Sequence, residues 1–196
     1  MATVTLHPEL AAHAASFADA KANLRPLIAG LDDAQFNWRP AQDRWSVAEC
    51  IDHLVVIGGL TIPLLNTGIQ QAAGKGWRSN GPYKYGAIGN WIVRQVGPRD
   101  EKHRRKFKAP KMYAPTGHHS ISRLEQAFVK LQDQFVEVVH RANGYDLGRV
   151  KLASPAARFL RLSLGQWIAL LAGHQKRHLQ QAQEVKDALG AGAKGV

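Results

Sequence analysis

Trp45-Ser46-Val47-Ala48-Glu49-Cys50-Ile51-Asp52-His53-Leu54 is the stretch on which the fold turns. Ser46 followed three residues later by Glu49 forms a capping box, in which hydroxyl and carboxylate each satisfy an orphan backbone donor of a starting helix. The helix opened there has an expected buried stripe of Cys50, His53, Leu54, Ile57, Leu60 and Leu64. His53 therefore falls on an apolar face near a helix N-terminus. Gly58-Gly59 and Pro63 weaken the second half, so a bend or an unusually close neighbour is expected there.

Working outward, Leu10, Phe17, Leu24, Leu27 and Leu31 recur at helical spacing, with Pro8 in the first turn and Gly30 at the C-terminal cap. Pro26 predicts a kink or an early end. Phe36 to Trp45 reads as a connecting loop anchored by Trp38 and Trp45. Ser122-Arg123-Leu124-Glu125 is a second capping box, followed by Leu124, Phe128, Leu131, Phe135 and Val138 in helical phase as far as Asn143-Gly144. Ser163-Leu164-Gly165-Gln166 is a third, opening a helix that carries Trp167, Leu171, His174, His178, Gln181 and Val185. Four helices over roughly 8–30, 46–72, 120–143 and 163–189, with no convincing strand, imply an all-α four-helix bundle. Residues 73–116 form a long basic connection between the second and third, with a short helix near Gly89 to Gln95 resting on Trp91 and Ile92.

The composition narrows the class. With 196 residues, 45% of them hydrophobic, the chain suits a single domain spanning 1–196. Cys50 is the only cysteine, which excludes an intrachain disulfide and suits a reducing cytoplasm. The first twenty residues lack a signal-peptide pattern, and the apolar runs near Leu54–Leu65 and Leu162–Gly173 are interrupted. A cytoplasmic protein without a membrane span is expected. The net charge of +11 is concentrated: residues 75–111 hold eleven Lys and Arg against Asp100 and Glu101, and so nine of the eleven charges. Trp77, Tyr83, Tyr85, Trp91, Phe107 and Tyr113 are interleaved with them. Nucleic acid is therefore one expected partner class, through phosphate contacts and base stacking along 75–111. A lid that attracts a small anionic substrate is the other.

His174 and His178 lie four apart, so both imidazoles point from one helix face. Trp167, Leu171, His174, His178 and Val185 step by 4, 3, 4 and 7, which puts both histidines in an apolar stripe. A single interior histidine is as readily a hydrogen-bonded core residue as a ligand. Three converging from two helices favour a divalent transition metal held by His53, His174 and His178, with Zn, Ni, Fe and Mn all accepting imidazole. His118 or His119 could close over such a site, and Trp45, Arg177 and Gln181 are pocket candidates, although Arg177 falls on a face expected to be exposed. Glu49 is a weak candidate for a catalytic base, since the capping box already employs it.

The two halves, Trp45 to Leu54 and Gly173-His174-Gln175-Lys176-Arg177-His178-Leu179-Gln180-Gln181, resemble the DinB-like (DinB/YfiT) superfamily over residues 8–72 and 120–188. That resemblance implies a four-helix bundle whose metal is held by one histidine of the second helix and two of the last, here His53, His174 and His178. It also implies a possible homodimer and a low-molecular-weight thiol as co-substrate, because the superfamily includes mycothiol-dependent maleylpyruvate isomerases and bacillithiol transferases. The expected chemistry is activation of a thiol or of water, giving a thiol-dependent S-transferase or isomerase, or a hydrolase. The alternative is a non-enzymatic nucleic-acid-binding or structural bundle. Segment 73–116 and the Gly58-Gly59-Pro63 interruption depart from the family pattern.

Overall fold

The computed structural model describes residues 5–97 and 110–192. Its long helices are α1 (Pro8–Ile28), α3 (Val47–Gly74), α5 (Ile121–Ala142) and α6 (Leu164–Gly192), with two shorter ones, α2 (Asp33–Phe36) and α4 (Ala87–Val96). Both α1 and α3 pack against α5 and α6, so α1 lies diagonally across the bundle from α3, and α5 from α6. This is the all-α four-helix bundle that the periodicity predicts. α4 lies outside it, packed on α6.

Two layers of side chains fill the interior. One contains Phe17, Leu65, Phe135, Leu147, Leu164 and Leu171. The other, at the end where α3 begins, contains Leu24, Phe36, Ile51, Leu54, Phe128 and Val185. Full burial contributes about 1.5–3 kcal/mol for each such side chain, so these layers dominate the stability of the bundle.

The helix starts show which local signals prevailed. At Ser46 the capping box is formed, with Ser46 Oγ accepting from Glu49 N and Glu49 Oε2 accepting from Ser46 N. The Ser163–Gln166 box is formed as well, at 3.1 and 3.3 Å. The Ser122–Glu125 box is not. α5 begins two residues earlier than that box requires, with Ser120 as N-cap, and Asp33 Oδ1 accepts from Ile121 N at 2.9 Å. A carboxylate distant in sequence has taken the capping task.

Other expectations shift for equally local reasons. Neither Pro26 nor Pro63 breaks its helix: α1 ends two residues past Pro26, and Pro63 deprives only the exposed Gly59 of a hydrogen-bond donor. The buried stripe of α3 runs through Thr61, Leu65, Gly68, Ile69 and Ala72, leaving Leu60 39% exposed. Gly58 sets that phase, because a Cβ there would run into the Leu131 side chain of α5. The close neighbour expected at Gly58-Gly59 is α5. Phe36, on α2, is the buried anchor of the first connection, whereas Trp38 is exposed. α4 lies where the short helix was expected, but it turns Gly89 inward against Gln166 and leaves Trp91 exposed, with Ile92 half-buried.

Sequence periodicity missed a two-stranded antiparallel sheet, β1 (Lys151–Ala153) with β2 (Arg161–Ser163), whose central pair is Leu152 opposite Leu162. Three-residue strands are too short to show alternation. One correction concerns length: unbroken by Pro63, α3 is long and apolar enough to cross a membrane by composition, yet 61% of its most apolar window is buried within the protein. That burial is what a bundle's core helix requires.

Candidate metal centre

His53 projects from the second turn of α3 and His174 and His178 from the middle of α6, two helices in direct contact. One nitrogen of each imidazole lies within 4.8 Å of the others. His53 Nε2 and His174 Nε2 are 3.1 Å apart. Two ligands of a tetrahedral ion with bonds of about 2.1 Å stand roughly 3.4 Å from each other, so this spacing suits a shared ion. The rings meet edge to face, with centroids 4.4 to 5.2 Å apart. Trp45 covers the group, its ring 4.7 Å from His53 and 5.6 Å from His178.

Protonation states follow from the neighbours. The Tyr113 carbonyl can only accept, so its 2.5 Å contact with His53 Nδ1 places the proton there and leaves Nε2 with a lone pair facing His174. Burial holds the His53 pKa below the usual imidazole range, against opposing contributions from the Tyr113 carbonyl and Asp52. His174 is pushed down to about 3, first by burial and then by His53 and Arg177, with the Val96 carbonyl opposing. Neutral imidazole is the ligating form, and the site enforces it in both residues. Three imidazole donors around one ion would leave coordination positions free, as catalytic sites do.

The surroundings sort the remaining candidates. Glu49 is buried, completes the capping box and forms an ion pair with Arg39, whose Nε lies 2.7 Å from Glu49 Oε2. Burial opposes its ionisation, but the bonds to Arg39 and Ser46 outweigh that and hold its carboxyl below the usual range. Arg177 is buried rather than exposed: it donates to the Gln95 carbonyl at the end of α4, at 3.1 Å. A cation at the carbonyl end of a helix is favourable, and periodicity along α6 alone could not anticipate α4 arriving there. Gln181 is half-buried one turn past His178, and His118 is exposed. His119 is half-buried, with Nε2 3.2 Å from Asp52 Oδ2. Tyr113 and Thr116 are neighbours of the centre outside both motif halves, and Asp52, inside the first half, is another neighbour that helical spacing does not single out. Tyr113 and Thr116 are in an irregular segment where no spacing marks them.

The basic connection is only partly in view. Arg99, Lys102, Arg104, Arg105, Lys106 and Lys108, with Phe107, lie outside the described residues. Within them, Lys75 and Arg149 sit over the Trp77 ring at 4.9 and 4.5 Å, and Arg78 over Tyr145 at 4.2 Å. These rings are occupied by the chain's own cations. A cleft of about 400 Å³ lined by Ser79, Pro82, Lys84, Asp146, Gly148 and Arg149 shares no residue with the histidine group.

Three imidazoles meeting between two helices of a four-helix bundle define a class of helical protein equipped to hold a metal ion. The chain belongs to the DinB superfamily, whose family model matches residues 16–182. It is similar to the uncharacterized protein YuaE of Bacillus subtilis (strain 168), with 27% identity over 162 residues, 82% of this chain and 88% of that one. No solved structure matches it.

Proposed function

We propose that the protein binds one divalent transition metal through His53, His174 and His178 and uses it to activate a thiol or a water molecule against a small, anionic substrate in the cytoplasm. The observation that carries this reading is the Tyr113 carbonyl on His53 Nδ1, which leaves His53 Nε2 unprotonated beside His174 Nε2. An outer-shell acceptor of this kind typically orients a ligating histidine. When bound, such an ion supplies Lewis acidity, lowering the pKa of water to about 7 in favourable zinc sites and deprotonating a thiol. The thiol option, giving S-transfer or isomerisation, draws support from the superfamily to which the chain belongs, which includes thiol-dependent enzymes; hydrolysis is the second outcome. In this reading Trp45 shields the centre from solvent, and Glu49 serves the helix cap rather than the reaction.

Metal analysis of protein purified without an affinity tag tests the proposal. Wild type should hold about one equivalent after reconstitution and His178→Ala close to none, because two imidazoles make a far weaker site. Equal and negligible loading in both would overturn it. Because the pKa values of His53 and His174 are lowered, loading should persist below pH 6.5, where unperturbed histidine would begin to lose its metal to protons.

A further inference from the structure

Asp52 precedes His53 in sequence but serves different neighbours. It is 5% exposed, and its Oδ2 accepts from Thr116 N at 2.6 Å and Thr116 Oγ1 at 3.0 Å, with His119 Nε2 3.2 Å away. A buried carboxylate carries a large desolvation cost that only good hydrogen bonds offset. Capping does not account for it, since Ser46 and Glu49 already close the start of α3.

What Asp52 holds is the segment that governs His53. Thr116 lies three residues beyond Tyr113, and Pro115 between them has a fixed φ, so the position of Thr116 is passed back toward the Tyr113 carbonyl. Beyond the single turn Lys111–Tyr113, this stretch has no helix or strand ladder. Its register against α3 rests on side chains. Asn37 clasps its far end, accepting from His119 N at 3.0 Å and donating to His119 O at 2.8 Å.

We propose that Asp52 is a positioning residue of the metal centre. By holding Thr116 it sets the Tyr113 carbonyl on His53 Nδ1, so that Nε2 stays unprotonated and directed at His174. The inference rests on the reading of the three histidines as ligands. Without the clamp the carbonyl is no longer held, His53 samples both neutral tautomers, and only one of them can ligate.

Two measurements on Asp52→Ala and Asp52→Asn test this: zinc affinity by chelator competition, and the His53 tautomer in metal-free protein by imidazole nitrogen NMR. Asp52→Ala should weaken zinc binding about 10–100-fold, the usual effect of losing an outer-shell partner, and should give a mixture of tautomers. Asp52→Asn keeps an oxygen for Thr116 N–H, so it should stay within about fivefold of wild type and retain the Nδ1–H form. Asp52→Ala with wild-type zinc affinity and a wild-type tautomer would overturn the proposal, even if its melting point fell. Should Asp52→Ala fail to fold, the double variant Thr116→Val, His119→Ala removes the Thr116 hydroxyl and the neighbouring imidazole from a retained carboxylate. An unchanged affinity and tautomer there would overturn it equally. If wild type itself binds no zinc, the ligand reading fails by itself, and the tautomer comparison still decides the role of Asp52.

Discussion

The two halves of α3 are built on opposite principles. In its first two turns the charged or basic side chains Glu49, Asp52 and His53 are buried, each satisfied by a group from outside the helix: Arg39, Thr116 and the Tyr113 carbonyl. Beyond Gly58 the buried residues are Thr61, Leu65, Gly68, Ile69 and Ala72, and what matters is size. A Cβ at Gly68 would lie 2.9 Å from Leu152 Cδ1. The first half is specified by hydrogen bonds and charge, the second by volume. The difference teaches that one helix can serve as chemical wall and as packing surface, with Gly58 marking the change.

The largest expected effect tests the polar half. Zinc at about a thousand times its dissociation constant should stabilise wild type by about 4 kcal/mol in denaturant titration, and His53→Ala should lose most of that gain. Undiminished stabilisation in the variant would break the contrast. Next, acidification should destabilise the metal-free protein. His174, with a folded pKa near 3, is protonated in the unfolded chain below about 6.5, so stability is fully present above pH 6.5 and declines as pH falls towards the folded value. One such histidine removes up to about 3 kcal/mol between pH 6.5 and 4, and a flat profile by chemical denaturation would count against the enforced neutral state.

Smaller effects separate the two halves further. Glu49→Ala removes a cap and leaves Arg39 without its buried partner, so a loss of about 2 kcal/mol is expected, whereas Glu49→Gln, which can still cap, should lose less and keep its zinc affinity. Loss of activity in Glu49→Gln at unchanged stability would instead place that carboxylate in the reaction. In the packing half, Gly58→Ala should cost about 1–2 kcal/mol through collision with Leu131, while Gly59→Ala, whose Cβ meets nothing, should gain about 0.5–1 kcal/mol from helix propensity. Equal shifts in the two melting curves would show that α5 does not press on Gly58.

How far the sequence revealed this molecule depends on the range of each interaction. The Ser46–Glu49 and Ser163–Gln166 boxes and the phase of His174 and His178 lie within one or two turns of a single helix, so pattern reading finds them. Ser122 was misread because the donor that mattered, Ile121 N, is met by Asp33 from another element. Arg177 looked solvent-facing from its own helix and is buried by α4. Leu60 fitted helical spacing as well as Leu65 does, and only the approach of α5 at Gly58 chooses between them. The outer partners of the centre, Tyr113 and Thr116, come from irregular chain, where spacing carries no information.

Both borders of the most basic stretch are tied to the histidine centre. On one side Arg177 grips the Gln95 carbonyl and the Val96 carbonyl acts on His174; on the other Tyr113 and Thr116 are bonded to His53 and Asp52. Val96 and Tyr113 are seventeen residues apart in sequence, yet the carbonyl of each acts on a different imidazole of the trio. The trio is thus buttressed from outside its own two helices, by main-chain carbonyls that no side-chain pattern could announce.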